Sequence, residues 1–184
     1  MHRVHHRYIE IHGRRLFYRE AGKPADPTLV LLHGFPTSSY MFRRLVPLLA
    51  PHYHVIAPDH LGFGLSDAPD VTDFDYTFDA LADLTASLLD RLDIWRYALY
   101  VHDYGAPIGW RLALRDPMAI TAIVTQNGNG YDAGFVDEFW KMVWAYGANQ
   151  SKANEDTYLL SWYYAWGGSS GTACGAAAAS GSAR

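Results

Sequence analysis

Two short runs of this sequence carry residue types suited to covalent chemistry, and each directly follows an apolar segment. The first is His33-Gly34-Phe35-Pro36, after Leu31-Leu32; the second is His102-Asp103-Tyr104-Gly105-Ala106, after Leu99-Tyr100-Val101. A strand that turns sharply into a helix needs small residues behind the turn, and Gly105 and Ala106 supply them. Such a turn lifts Asp103 clear of its strand and sets it beside a helix N-terminus, where backbone N–H groups stabilise negative charge. A carboxylate in that place narrows the chemistry. Attack on an ester carbonyl would make an anhydride and gain nothing. Attack on an sp³ carbon displaces a halide or opens a strained epoxide, leaving an alkyl ester on the carboxylate. Water activated by a histidine would then hydrolyse that ester.

The elements that must position these runs alternate between strand and helix. Residues 8–12 and 16–19 read as two short strands around the Gly13 turn. Residues 28–32, 54–58, 97–101 and 120–124 read as further strands, the first two continuous apolar runs of the kind buried on both faces. Helices are predicted over 38–49, 77–92 and 106–115. In the first, Phe42, Leu45, Val46 and Leu49 share a face; in the second, Leu81, Leu84, Leu88 and Leu92 form one stripe. Strands alternating with helices imply an α/β fold, a mostly parallel sheet flanked by helices. In such sheets ligands bind at the carboxyl ends of the strands, where both runs lie.

Composition sets the outer limits. The chain has 184 residues, 49% hydrophobic and 18% charged, with a formal net charge of −4. That length suits a domain with a real core. The 13 Tyr, 8 Phe and 6 Trp exclude disorder for most of it. No dense basic run points to nucleic acid, and no apolar run reaches the length of a membrane span. The polar N-terminus does not read as a signal peptide, so a cytoplasmic location is expected. One cysteine, Cys174, excludes an intrachain disulfide framework. No metal or cofactor is expected; the partner implied is a small apolar substrate, and oligomeric state is left open.

On these residues the chain resembles the α/β-hydrolase superfamily, in its aspartate-nucleophile branch of epoxide hydrolases and haloalkane dehalogenases. The resemblance runs from about residue 8 to about residue 158 and rests on HGFPTSSYMFR (33–43), APDHLGFGLSDAP (57–69) and VHDYGAPIGW (101–110). It implies Asp103 as nucleophile, with the backbone N–H groups of Phe35 and Tyr104 as the oxyanion hole, worth about 3 to 4 kcal/mol per donor. Haloalkane dehalogenases cradle the leaving halide with an indole after the nucleophile and usually a polar residue after His-Gly. Tyr104 and Phe35 stand at those positions here. An aromatic after His-Gly looks more like epoxide hydrolases, which polarise the epoxide oxygen with cap tyrosines. Phe35, Tyr104 and Tyr146 are the substrate-binding candidates, with Tyr131, Tyr158, Tyr163 and Tyr164 further candidates by position. PTSSYMFR and Val101 look dehalogenase-like. An epoxide is therefore favoured and a haloalkane is the alternative.

The resemblance also implies a histidine and an orienting acid after the nucleophile, yet all nine histidines lie at or before His102. The His102 side chain should point away from the nucleophile's face, and His33 is expected to shape its loop without acting as base. The domain reading is residues 1–130 as the hydrolase core and 131–158 as the start of a helical cap, with a stripe of Phe135, Phe139, Met142, Val143 and Tyr146. Residues 159–184 read as a low-complexity tail, in which 15 of the last 18 residues are Gly, Ala or Ser. A shifted reading frame or truncation accounts for that break better than a designed linker. The chain as written is expected not to turn over.

Plainer readings stand beside these. Asp103 could cap its helix. Residues 62–66 read as a structural turn after Asp59, since their spacing is not that of a phosphate loop. His2, His5 and His6 read as a solvated end. Tyr163, Tyr164 and Trp166 could be substrate wall or miscoded sequence, and the Asn149 sequon carries little weight. A hydrolase fold without its base could also serve as a non-catalytic small-ligand-binding protein, marked by saturable binding without a covalent adduct.

Overall fold

The computed structural model describes residues 3–135, 137–149 and 151–156. The chain divides into two units, Met1–Asp132 and Ala133–Arg184. The first holds six strands: β1 (His5–Ile11), β2 (Arg14–Ala21), β3 (Thr28–Leu32), β4 (His54–Pro58), β5 (Tyr97–His102) and β6 (Ile120–Gln126). They form one sheet in the order β1-β2-β4-β3-β5-β6. β1 and β2 run antiparallel to their neighbours, while β4, β3, β5 and β6 are parallel. Helices α1 (Val46–Leu49), α2 (Phe78–Arg91) and α3 (Gly105–Arg115) connect the strands. The fold is α/β, a mostly parallel sheet flanked by helices.

Side-chain alternation explains why the central strands are apolar throughout. On β3, Val30 and Leu32 pack with Ile56, Leu99 and Val101 against Leu81, Leu84 and Leu88 of α2 and Ile108 and Leu112 of α3. Leu29 and Leu31 face the other way, packing with Val55 and Ala57 against Phe42 and Val46. Each such fully buried side chain contributes about 1.5 to 3 kcal/mol relative to exposure. α2 starts where Thr77 Oγ1 accepts the Ala80 N–H at 3.1 Å, a cap worth about 1 kcal/mol.

The stretch predicted as one helix over 38–49 departs from expectation. It forms a 3₁₀ turn at Ser39–Phe42 and then α1, with a break between. Pro47 has no N–H to give the carbonyl four residues back, so a continuous helix cannot close there. The apolar stripe still packs inward, Phe42 and Val46 fully and Leu45 and Leu49 in part.

β6 lies at the sheet edge and is exposed along most of its length, with Ile123 at 41% and Val124 at 51%. In the second unit α4 (Asp137–Ala148) carries Trp140 and Trp144, stacked at 5.5 Å, with the Phe135 ring against both. Of the predicted stripe, Phe135 precedes the helix, while Met142, Val143 and Tyr146 lie on it half-buried. The tail read over 159–184 lies outside the described residues, as do Tyr158, Tyr163, Tyr164 and Trp166. Among the described residues no helix is long and apolar enough to cross a membrane.

Candidate active site

Because β3 and β5 are parallel neighbours with Leu32 opposite Val101, the runs that follow them leave the sheet side by side. β5 ends in a tight turn whose apex, Asp103, has φ +50°, a left-handed conformation that costs a non-glycine residue of order 1 kcal/mol or more. The turn closes only because position 105 has no side chain: a Cβ there would collide with the Leu32 carbonyl. Gly109, one turn along α3, admits the Val101 side chain in the same way. The strained residue is therefore wedged between a strand end and a helix start.

The Asp103 carboxylate does not cap α3. Tyr104 occupies the N-cap position and makes no side-chain cap, while the Asp103 carbonyl accepts the Ala106 N–H at 2.9 Å. Asp103 Oδ1 accepts instead the backbone N–H of Phe35 at 2.7 Å, across 68 positions of sequence. Gly34 makes this approach possible, since a Cβ on it would overlap the Asp103 side chain. Phe35 and Asp103 are thus in contact, and Tyr104 follows directly.

Behind this pair lies a histidine couple that the sequence did not reveal. His33 is fully buried; its Nδ1–H donates to the Gly34 carbonyl at 3.0 Å, and its Nε2 accepts the His60 N–H at 3.1 Å. His60 returns a bond from Nε2–H to the His33 carbonyl at 3.1 Å, and the two rings lie 4.2 Å apart. Burial pushes both histidines below the ordinary range, His60 the further, with His33 beside it adding to the effect. Neutral rings fit every one of these bonds, whereas a protonated His33 Nε2 would oppose the His60 N–H. One ring nitrogen of His33 bonds within its own loop and the other bonds the segment after β4.

Asp59, also buried, ties the loop after β4 to the segment after β3. Its Oδ1 accepts Ser39 N–H at 2.7 Å and its Oδ2 accepts Leu65 N–H at 2.8 Å. Gly62 and Gly64 sit at φ +87° and +58°, so residues 62–66 form the structural turn that was expected. His102 points to Asn127, its Nε2 lying 3.4 Å from the Asn127 Nδ2. Asp59 and His60 sit directly after the apolar strand β4, as His33 does after β3; that placement was the one signal the sequence held for them.

Beside Asp103 the surface is aromatic. Phe35, Phe63, Tyr76, Phe78, Leu81 and Tyr104 line a cavity of about 430 Å³. Phe35 and Tyr104 lie 5.5 Å apart, and Phe78 meets Tyr104 edge-on at 5.2 Å. Burial, and then the Asp103 charge, raise the Tyr104 phenol, so it keeps its proton. Of the tyrosines proposed for a cap, Tyr146 lies on α4 in the second unit and Tyr131, at the end of the first, is 86% exposed. Phe63 and Phe78 escaped the sequence reading, because one lay in a turn and the other at a helix start. Among the described residues no group of three or more His, Cys, Asp or Glu side chains is placed to hold a metal ion.

A family model for the alpha/beta hydrolase fold matches residues 27–161. A protein of Saccharomyces cerevisiae described as an uncharacterized hydrolase is 53% identical over 128 residues, spanning 70% of this chain and 43% of its own length. A haloalkane dehalogenase structure from Bradyrhizobium elkani superposes with a TM-score of 0.65 at 35% identity, covering 68% of this chain and 42% of that one. An epoxide hydrolase structure from Vigna radiata gives 0.61 at 34% identity, covering 66% and 39%. The chain thus spans about two fifths of the length of these relatives.

Proposed function

This chain belongs to the alpha/beta hydrolase fold family, and we propose that within it Asp103 is a nucleophile toward an sp³ carbon, with an epoxide as the favoured substrate. The observation that carries the reading is the bond from the Phe35 N–H to Asp103 Oδ1. It divides the carboxylate into two unlike oxygens. Oδ1, already engaged by a donor, is the poorer nucleophile, so Oδ2 attacks. The carbon–oxygen bond of the ring breaks with its electron pair going to oxygen, which takes a proton, and an ester remains on Asp103. Its carbonyl oxygen is Oδ1, so when water adds to that ester the negative charge develops on the atom that Phe35 N–H holds, with Tyr104 N–H as the second donor. Residues 1–130 are the hydrolase core in this reading and 131–158 the start of a cap that includes Tyr146; 159–184 are a tail outside both.

The aromatic lining favours the epoxide. A departing halide needs N–H donors around it, and the lining offers one phenol, Tyr104, with Tyr76 already donating to the Pro69 carbonyl at 2.7 Å. The dehalogenase relative keeps the haloalkane as a second reading. Mass spectrometry of the intact chain after exposure to styrene oxide or bromobutane separates the two. An epoxide adduct, lost in Asp103→Asn, supports the proposal. Bromide release with a butyl adduct and no epoxide adduct would make the site a dehalogenase; saturable binding without any adduct would make it a ligand-binding module.

A further inference from the structure

We propose that Phe78 is a specificity-determining residue of this site, forming with Phe35, Phe63 and Tyr104 an aromatic wall that selects an aryl-substituted oxirane over an alkyl one. The inference rests on the assignment of Asp103 above and adds the class of substituent that the cavity receives. The cavity opens beside the nucleophile, since Phe35 and Tyr104 flank Asp103 and also line it. Its lining contains no charged side chain. Two small residues keep it open. Gly62 at φ +87° could not carry a Cβ without meeting Tyr76 Cε1 at 2.8 Å, and Ala68 adds only a methyl group.

Phe78 is held from two sides, which is what shape selection requires. It is the first residue of α2, directly after the Thr77 cap, so its backbone is set by the helix start. Its ring meets Tyr104 edge-on at 5.2 Å and 81°, and the Arg111 guanidinium of α3 lies 5.7 Å from its centre. Arg111 is itself fixed, donating to Asp79 Oδ1 at 2.7 Å and to the Pro107 carbonyl at 3.0 Å. Phe35, Phe63 and Tyr104 lie 5.5 to 6.4 Å from one another. Rings at these separations leave edges and faces for a flat aromatic guest, whose own quadrupole completes edge-to-face pairs that a flexible alkyl chain cannot make.

The test compares adduct formation by phenyloxirane and butyloxirane on the 184-residue chain, followed by intact mass. Each adduct adds the whole mass of the reagent, because the ring oxygen stays on the substrate and takes a proton from water. The phenyl adduct is expected to form about threefold to tenfold faster. Phe78→Leu, which keeps an apolar side chain there, should erase that preference, bringing the phenyl rate to within about twofold of the butyl rate. Phe78→Ala should erase it too, and circular dichroism identifies whether either variant folds. Equal rates in the parent chain, or a preference unchanged in folded Phe78→Leu, would overturn the role of Phe78 alone. Absence of any adduct from both reagents would overturn the Asp103 assignment and this inference with it.

Discussion

Gly34 and Asp103 are packed so closely that a single methyl group on Gly34 would occupy the space of the Asp103 side chain. Gly34→Ala is therefore expected to push the carboxylate off the Phe35 N–H. A displacement of about 1 Å at a reacting group costs on the order of 10²-fold in rate. The rate of epoxide adduct formation checks this, alongside a melt to confirm folding. An unchanged rate would show that the Phe35 contact does not position the Asp103 carboxylate for reaction.

With no histidine after His102, the 184-residue chain is expected to be alkylated once on Asp103 and to hold the ester. One adduct per chain, stable for hours after excess reagent is removed, is the anticipated result. Repeated formation of diol would mean that another group activates water.

Stability should depend on pH through the buried histidine couple. Burial holds His33 and His60 below the ordinary value of 6.5. In the unfolded chain each takes up a proton near that value, whereas in the fold each does so only at lower pH. Their contribution is thus fully present above about pH 6.5 and is lost as pH falls toward the folded values, by about 1.4 kcal/mol per pH unit for each histidine. Urea melts at pH 7 and pH 5.5 should show the loss, and His60→Gln should reduce it by about one proton's worth. An identical slope in His60→Gln would place the titration elsewhere.

The exposed edge of β6 predicts self-association. Ile123 and Val124 are exposed on a strand that pairs with β5, and an apolar edge of this kind is a template for another chain. Light scattering should detect assemblies that Val124→Lys diminishes. A monodisperse monomer with a cooperative melt would refute this.

Much of the fold was readable because its signals are local. The apolar runs at 28–32 and 54–58 became β3 and β4 with the same bounds, and the leucine stripe of 77–92 became α2 with Thr77 as its cap. The misread stretch, 38–49, failed where apolar spacing and proline disagreed, and Pro47 prevailed because a missing N–H cannot be compensated by an inward-facing stripe. Gly105 and Ala106 signal a sharp strand-to-helix turn by residue type alone, although the atom Gly105 makes room for, the Leu32 carbonyl of β3, belongs to a distant segment.

Contacts between distant segments were not readable in this way. The Phe35 N–H reaches Asp103 across 68 positions, and His33 reaches His60 across 27. Both distances follow from strand order, because β4, β3 and β5 are adjacent in the sheet and bring three loops to one end. Phe78 looked like an ordinary helix residue until α2 packed beside α3 and turned its ring onto Tyr104. Residue type and spacing specify which groups can react. The packing of separate elements decides which of them meet, because hydrogen bonds and ring contacts act over only a few ångströms and the chain must first be folded to bring their partners within that range.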